Sequence, residues 1–166
     1  MATTRYSDLM TSPNKELFHL AVPERAGEIA VVRATVTIAA ALTVDDVMLL
    51  AQLPPYCIPI DAKAYWPDMD SATSLVWSLG VLDTTNLDLV SSSMGILSST
   101  VGQAAGLAVL NNDDWFFPAT YLAETDCPDL SAGLTMAFNV DTAPGTSATS
   151  GTIVADILYR STLFDV

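Results

Sequence analysis

Ile29-Ala30-Val31-Val32-Arg33-Ala34-Thr35-Val36-Thr37-Ile38 is the stretch that decides the fold. Ala30, Val32, Ala34, Val36 and Ile38 recur at every second residue, with Arg33, Thr35 and Thr37 between them. A period of two puts the apolar set on one face of an extended chain and the polar set on the other, so this is a half-buried β-strand. Just beyond it, Thr43 followed by Asp46 resembles a helix capping box, and Val47-Met48-Leu49-Leu50-Ala51-Gln52-Leu53 contains good helix formers. The run has no polar face, however, and Pro54-Pro55 end it after less than a dozen residues. A short buried strand is the reading taken.

The same alternation returns further along. Ile58, Ile60, Ala62, Ala64 and Trp66 alternate with Pro59, Asp61, Lys63 and Tyr65, and Pro59 points to a sheet edge because it cannot donate to a ladder. Asp68-Met69-Asp70-Ser71 reads as a turn before Leu75, Trp77, Leu79 and Val81, and Asp83-Thr84-Thr85-Asn86 as another after them. The uncharged, Gly-punctuated segment 89–112 reads as a long loop region holding one irregular helical turn around Met94 or a bent strand. Trp115-Phe116-Phe117 opens an aromatic strand. Leu134, Met136, Phe138 and Val140 mark the next, and Ile153, Ala155, Ile157 and Tyr159 the last. About eight strands with almost no long helix predict an all-β chain: an antiparallel β-sandwich, closed by distant pairings as in a jelly roll.

Residues 1–28 differ from the rest. They mix polar residues with Pro13 and Pro23, show no sustained period, and carry one apolar cluster at Leu17, Phe18 and Leu20. The expectation is an extended N-terminal arm outside the core, followed by a sandwich domain over 29–166.

Composition narrows the function classes. Of 166 residues, 51% are hydrophobic and only 15% charged, against about 25% charged in ordinary soluble domains. Too few charges remain to cover a large solvated surface, so much of the exterior is expected to be hydroxyl-rich or covered by partners. The net charge of −13 is unevenly placed. Up to Arg33 four cations cancel four acids, whereas the remainder holds only Lys63 and Arg160 against fifteen acids. Six scattered cations cannot make a phosphate-binding surface, which argues against direct nucleic-acid binding. The first twenty residues lack the apolar stretch of a secretory signal, and the run 89–112, half of it polar or Gly, is not expected to span a membrane.

Chemistry is sparse. A single His19, with no G-x-S-x-G, H-E-x-x-H or C-x-x-C pattern, leaves no His-based triad and no zinc motif. Asp68/Asp70 and Asp113/Asp114 are the close carboxylate pairs. An acid/base couple of a hydrolase or a Ca²⁺ site is their functional reading, and turn-capping of their own backbone the favoured one. Gly102-Gln103-Ala104-Ala105-Gly106 lacks the lysine of a phosphate loop. Cys57 and Cys127 make no disulfide framework, and small reduced thiols are expected. Trp66, Trp77 and Trp115 suggest a sugar-stacking platform as the rival reading, a lectin-like host-adhesion module, but Trp77 sits on a clean apolar face and packing is preferred. No catalytic residue, cofactor site or metal site is assigned.

Three stretches carry a resemblance: Asp45-Asp46-Val47 through Leu53-Pro54 to Ile60-Asp61; Asp70-Ser71-Ala72-Thr73-Ser74-Leu75-Val76-Trp77-Ser78-Leu79-Gly80-Val81; and Ser99-Thr100-Val101-Gly102-Gln103-Ala104-Ala105-Gly106. With the ending Gly151-Thr152-Ile153 to Leu158-Tyr159-Arg160, their order resembles the cement or decoration proteins that stabilise the heads of tailed bacteriophages. The resemblance implies a jelly-roll or related sandwich that forms a homotrimer at three-fold and quasi-three-fold positions on the outer surface of the virion capsid. There it binds major capsid protein and bridges its subunits, without catalysis or cofactor. Another head or tail component is the reading next to it. No motif aligns in the arm. Its apolar residues Tyr6, Leu9, Leu17, Phe18 and Leu20 are expected to touch the shell or a sister subunit, because an apolar cluster on a coreless segment would otherwise stay in water.

Overall fold

The computed structural model describes residues 3–12, 15–16, 20–24, 28–67, 74–83, 88–89, 97–101, 106–109, 129–145 and 151–162. Among them are twelve strands: β1 (Thr4–Tyr6), β2 (Met10–Ser12), β3 (Lys15–Glu16), β4 (Ile29–Ile38), β5 (Val47–Gln52), β6 (Cys57–Trp66), β7 (Val76–Asp83), β8 (Asp88–Leu89), β9 (Leu97–Val101), β10 (Gly106–Val109), β11 (Thr135–Thr142) and β12 (Gly151–Ser161). A single 3-10 turn at Leu130–Ala132 is the helical element among the described residues. β4 alternates as its sequence requires, with Val32, Ala34, Val36 and Ile38 buried and Val31, Arg33 and Thr37 exposed.

Two sheets form the sandwich. One runs β1-β5-β11-β7-β8, with β9 also on β7, and the other β10-β6-β12-β4. The two C-terminal strands complete both sheets: β11 inserts antiparallel between β5 and β7, and β12 between β6 and β4. Neither sheet can close until the last third of the chain is in place.

Within an interior filled from both sheets, the four-stranded sheet carries one row of small side chains. Ala64, Ala155 and Ala34 lie in register across β6, β12 and β4, all fully buried. The first sheet supplies Met48, Leu50, Trp77, Leu79, Met136 and Phe138 to the same cluster. Trp77 anchors the aromatic part, edge-to-face with Trp66 at 5.2 Å between ring centroids and tilted against Phe138 at 5.8 Å.

The polar-free run Val47–Leu53 is a strand because both of its faces are covered. Met48 and Leu50 point into the main core, while Val47 and Leu49 join a second cluster with Met10, Leu82 and Ala137. Its end is fixed by Gly133, which adopts φ +79° and donates its N–H to the Leu130 carbonyl at 3.1 Å. A Cβ there would collide with the Leu53 carbonyl oxygen, so glycine is required twice over.

Three sequence expectations change. Segment 89–112, expected as loop, contributes β9 and β10, both laid antiparallel on interior strands. Pro59, by contrast, keeps the edge position its sequence suggests: β10 pairs β6 only over Lys63–Trp66, so among the described residues Pro59 meets a ladder on the β12 side alone, beside a register shift between Leu158 and Tyr159. The sandwich is not wholly antiparallel, because β1 pairs parallel with β5. The first residues are also not free of the core: β1 extends the first sheet and Met10 is buried. Strand-forming signal is weak there because the segment pairs over only three residues. The aromatic stretch at 115–117 and the turns at 68–71 and 84–86 lie outside the described residues.

Ala155→Leu adds three heavy atoms at the centre of the fully buried alanine row. It is expected to cost about 1–3 kcal/mol, read as a lower urea midpoint at unchanged m-value.

Candidate partner-binding surfaces

The N-terminal segment is positioned by a buried carboxylate. Thr43–Asp46 forms a turn in which Asp45 adopts φ 64° and the Asp46 N–H donates to the Thr43 carbonyl at 3.1 Å. The Asp46 side chain, fully buried, turns back to accept from Thr43 N at 3.0 Å and Thr43 Oγ1 at 2.8 Å. It also accepts from Thr3 N at 2.6 Å and Arg5 Nη2 at 3.0 Å, the latter shared with the Ala41 carbonyl at 2.9 Å. Burial pushes the carboxyl upward in pKa, but the Thr43, Arg5 and Thr3 donors outweigh it and hold Asp46 below the ordinary carboxylate value. The capping-box spacing was thus real, and it caps a turn.

From this anchor the chain crosses between sheets. Ser7 donates its N–H to the Leu49 carbonyl at 2.8 Å and its hydroxyl to the Leu50 carbonyl, both on β5. One residue later, Asp8 donates its N–H to the Thr35 carbonyl at 2.9 Å, and its carboxylate accepts from Thr35 N at 2.7 Å, both on β4. Leu9 packs against both apolar clusters and Leu20 against the main core. Tyr159 Oη donates to the Ala21 carbonyl at 2.7 Å, which holds residues 20–24 to the body. Of the five apolar residues expected to reach a partner, Tyr6 is 41% exposed, while Leu9 and Leu20 are spent on the chain's own core. Leu17 and Phe18 lie outside the described residues.

A second surface, which the sequence reading missed, is the outer face of the four-stranded sheet. Registered pairing lines up Arg33, Asp156 and Lys63 across β4, β12 and β6. Arg33 grips Asp156 with two bonds, Nε at 2.6 Å and Nη2 at 2.7 Å. The hydrogen bond to Asp156 raises the guanidinium's pKa. The same bond, helped by the charges of Arg33 and Lys63 and opposed by burial, lowers that of Asp156. Ile29 and Val31 on β4 and Tyr65 on β6 stand exposed around this row. The signal was present in the i, i+2 spacing of Ile29, Val31 and Arg33, read only as the polar side of a strand.

The remaining candidates resolve as follows. Trp66 and Trp77 are 7% and 0% exposed, so neither can stack on a sugar from solvent. Trp115 and both Asp pairs lie outside the described residues, as does Cys127. Cys57 is buried, which pushes its thiol up in pKa and away from nucleophilic thiolate. Among the described residues no three His, Cys, Asp or Glu side chains cluster for a metal, and no helix is long and apolar enough to cross a membrane.

This arrangement defines an all-β sandwich of two facing sheets. No family model and no curated protein matches the sequence. Solved structures share the fold. A chain in the capsid of Ralstonia phage GP4 superposes with a TM-score of 0.70 at 21% identity, covering 96% of this chain and 98% of that one. A chain in the cyanophage Pam1 capsid asymmetric unit gives 0.51 at 17%, covering 90% and 98%.

Asp46→Ala strips the acceptor from four donors and leaves the guanidinium of Arg5 without its carboxylate. It is expected to cost about 3 kcal/mol. Because the folded pKa of Asp46 is lowered, its contribution is fully present above the unfolded value of about 4 and is lost as pH falls through the folded one. Urea unfolding across the acid range is expected to show a steep loss in the parent chain and a shallower one in Asp46→Ala.

Proposed function

We propose that the chain is a non-enzymatic structural protein of a bacteriophage particle, and within that class a cement or decoration protein on the outer surface of the icosahedral capsid. The observation that carries the reading is the overlap, nearly complete in both directions, with a chain of a phage capsid structure. An ordered set of sequence motifs, from Asp45-Asp46-Val47 to Leu158-Tyr159-Arg160, supports the same class. The acidic body suits an exterior location away from packaged nucleic acid, since its net charge repels phosphate.

The mechanism follows from mass action. Packaged genome presses outward on the shell, and a protein that binds only the assembled lattice stabilises that lattice by the free energy of its occupancy. Copies joined as a homotrimer at three-fold and quasi-three-fold positions would bind major capsid protein with modest patches each, because linked contacts act at high effective concentration. Tyr6, exposed on the outermost strand of the first sheet, is the shell-facing contact on the described part of the arm, with Leu17 and Phe18 as its companions. An aromatic on a rigid strand loses little entropy on docking and buries a large area.

Purified chain mixed with particles that lack it should co-sediment saturably and raise the temperature at which they release genome. Tyr6→Ala should weaken that binding by about tenfold or more while leaving the chain's own melting temperature unchanged. No co-sedimentation under any condition in which the particles are intact would remove the proposal.

A further inference from the structure

Three of the chain's six cations, Arg33, Lys63 and Arg160, stand on the outer face of the four-stranded sheet. Among the described residues of β4, β6 and β12, the acids on that face are Asp61 and Asp156, so three positive charges stand against two negative, a local +1 in a chain of −13. Among the described residues, the same face carries the exposed large apolar side chains of the body's strands: Val31 at 64%, Ile29 at 54% and Tyr65 at 37%. Val31 registers opposite Leu158, and Thr35 opposite Val154 and then Tyr65, so the apolar groups flank the Arg33–Asp156–Lys63 row on both sides. An apolar patch split by a cationic row is the composition of a protein-binding face that takes an acidic partner.

We propose that this face docks a second copy of the chain, laying an acidic part of the neighbour's surface against the row. Two bodies of −13 repel at most relative orientations, and the repulsion is relieved where one presents this face. Because an acidic surface is met by a different, cationic one, the contact is heterologous: each copy uses one face to give and another to receive, which closes into a ring when the rotation allows. The inference deepens the reading of the chain as a shell-bound oligomer, assigning the sister contact to the four-stranded sheet and leaving β1 and Tyr6 for the shell.

The test is sedimentation velocity on the full chain alone, without particles, at fixed near-physiological salt. The parent chain is expected to self-associate. Arg33→Glu with Lys63→Glu should weaken association at least tenfold, as should Val31→Ser with Tyr65→Ser, both with unchanged circular dichroism and melting temperature. Asp61→Asn, which makes the face more basic, should tighten it. A monomeric parent chain, association indifferent to both double variants, or Asp61→Asn that weakens association as in a face packed on its own copy would each overturn the proposal. Particle co-sedimentation is read separately. A monomer that still binds particles defeats this inference alone, and a self-associating chain that ignores particles defeats only the capsid role.

Discussion

Between Ser7 and Asp8 the backbone passes from the edge of one sheet to the edge of the other, and the rest of the structure depends on that crossing. A two-layer sandwich has open sides, where edge strands present unpaired N–H and C=O groups that invite pairing with other chains. Here β5 and β4 are neighbours on such a side. The first is covered by β1 through parallel pairing, and the second is capped at Thr35 by both the backbone and the carboxylate of Asp8. The segment holds this position because Asp46, buried in the preceding turn of the body, binds Thr3 and Arg5 just upstream. A buried ion pair contributes little net stability compared with apolar packing, but it specifies register strongly, since any shift would strand a charge without a partner. Asp46 is thus placed to fix where the N-terminal strand lies.

That geometry separates two meanings of an apolar residue. Leu9 and Leu20 are apolar because they seal the chain's own core, and Tyr6 because it faces outward from an edge strand. In sequence all three look alike, an apolar side chain on a segment without period. Periodicity made β4, β6, β7, β11 and β12 legible because each has one face on the core over eight or more residues. It left β5 ambiguous, since a strand covered on both faces has no polar phase to reveal it. It failed at β1, whose few residues gain their partner from a carboxylate 41 positions away, and at β9 and β10, short strands in a Ser- and Gly-rich stretch. The outer face of the four-stranded sheet was missed for a related reason. Val31 and Ile29 sit in phase with Arg33, and only the register with β12 and β6 shows that cations and apolar groups from distant segments share one surface.

The charge distribution then acquires a structural logic. A chain with 15% charged residues and a net charge of −13 has few ways to bring copies together. Gathering half of its cations on one sheet face, as proposed, would make one approach attractive among repulsive ones, so the same imbalance would set how copies orient as they associate.

The central claim is that residues 3–10 are a built part of the sandwich that joins its two edges. Native-state hydrogen exchange on the full chain tests it most directly, through the amides of Ser7 and Asp8, which donate to Leu49 on one sheet and Thr35 on the other. They are expected to exchange as slowly as the amides of the strands they bridge, and to lose that protection together when Asp46 is replaced by alanine. Exchange of both amides at the rate of an unstructured chain, with β4 and β5 still protected, would contradict it.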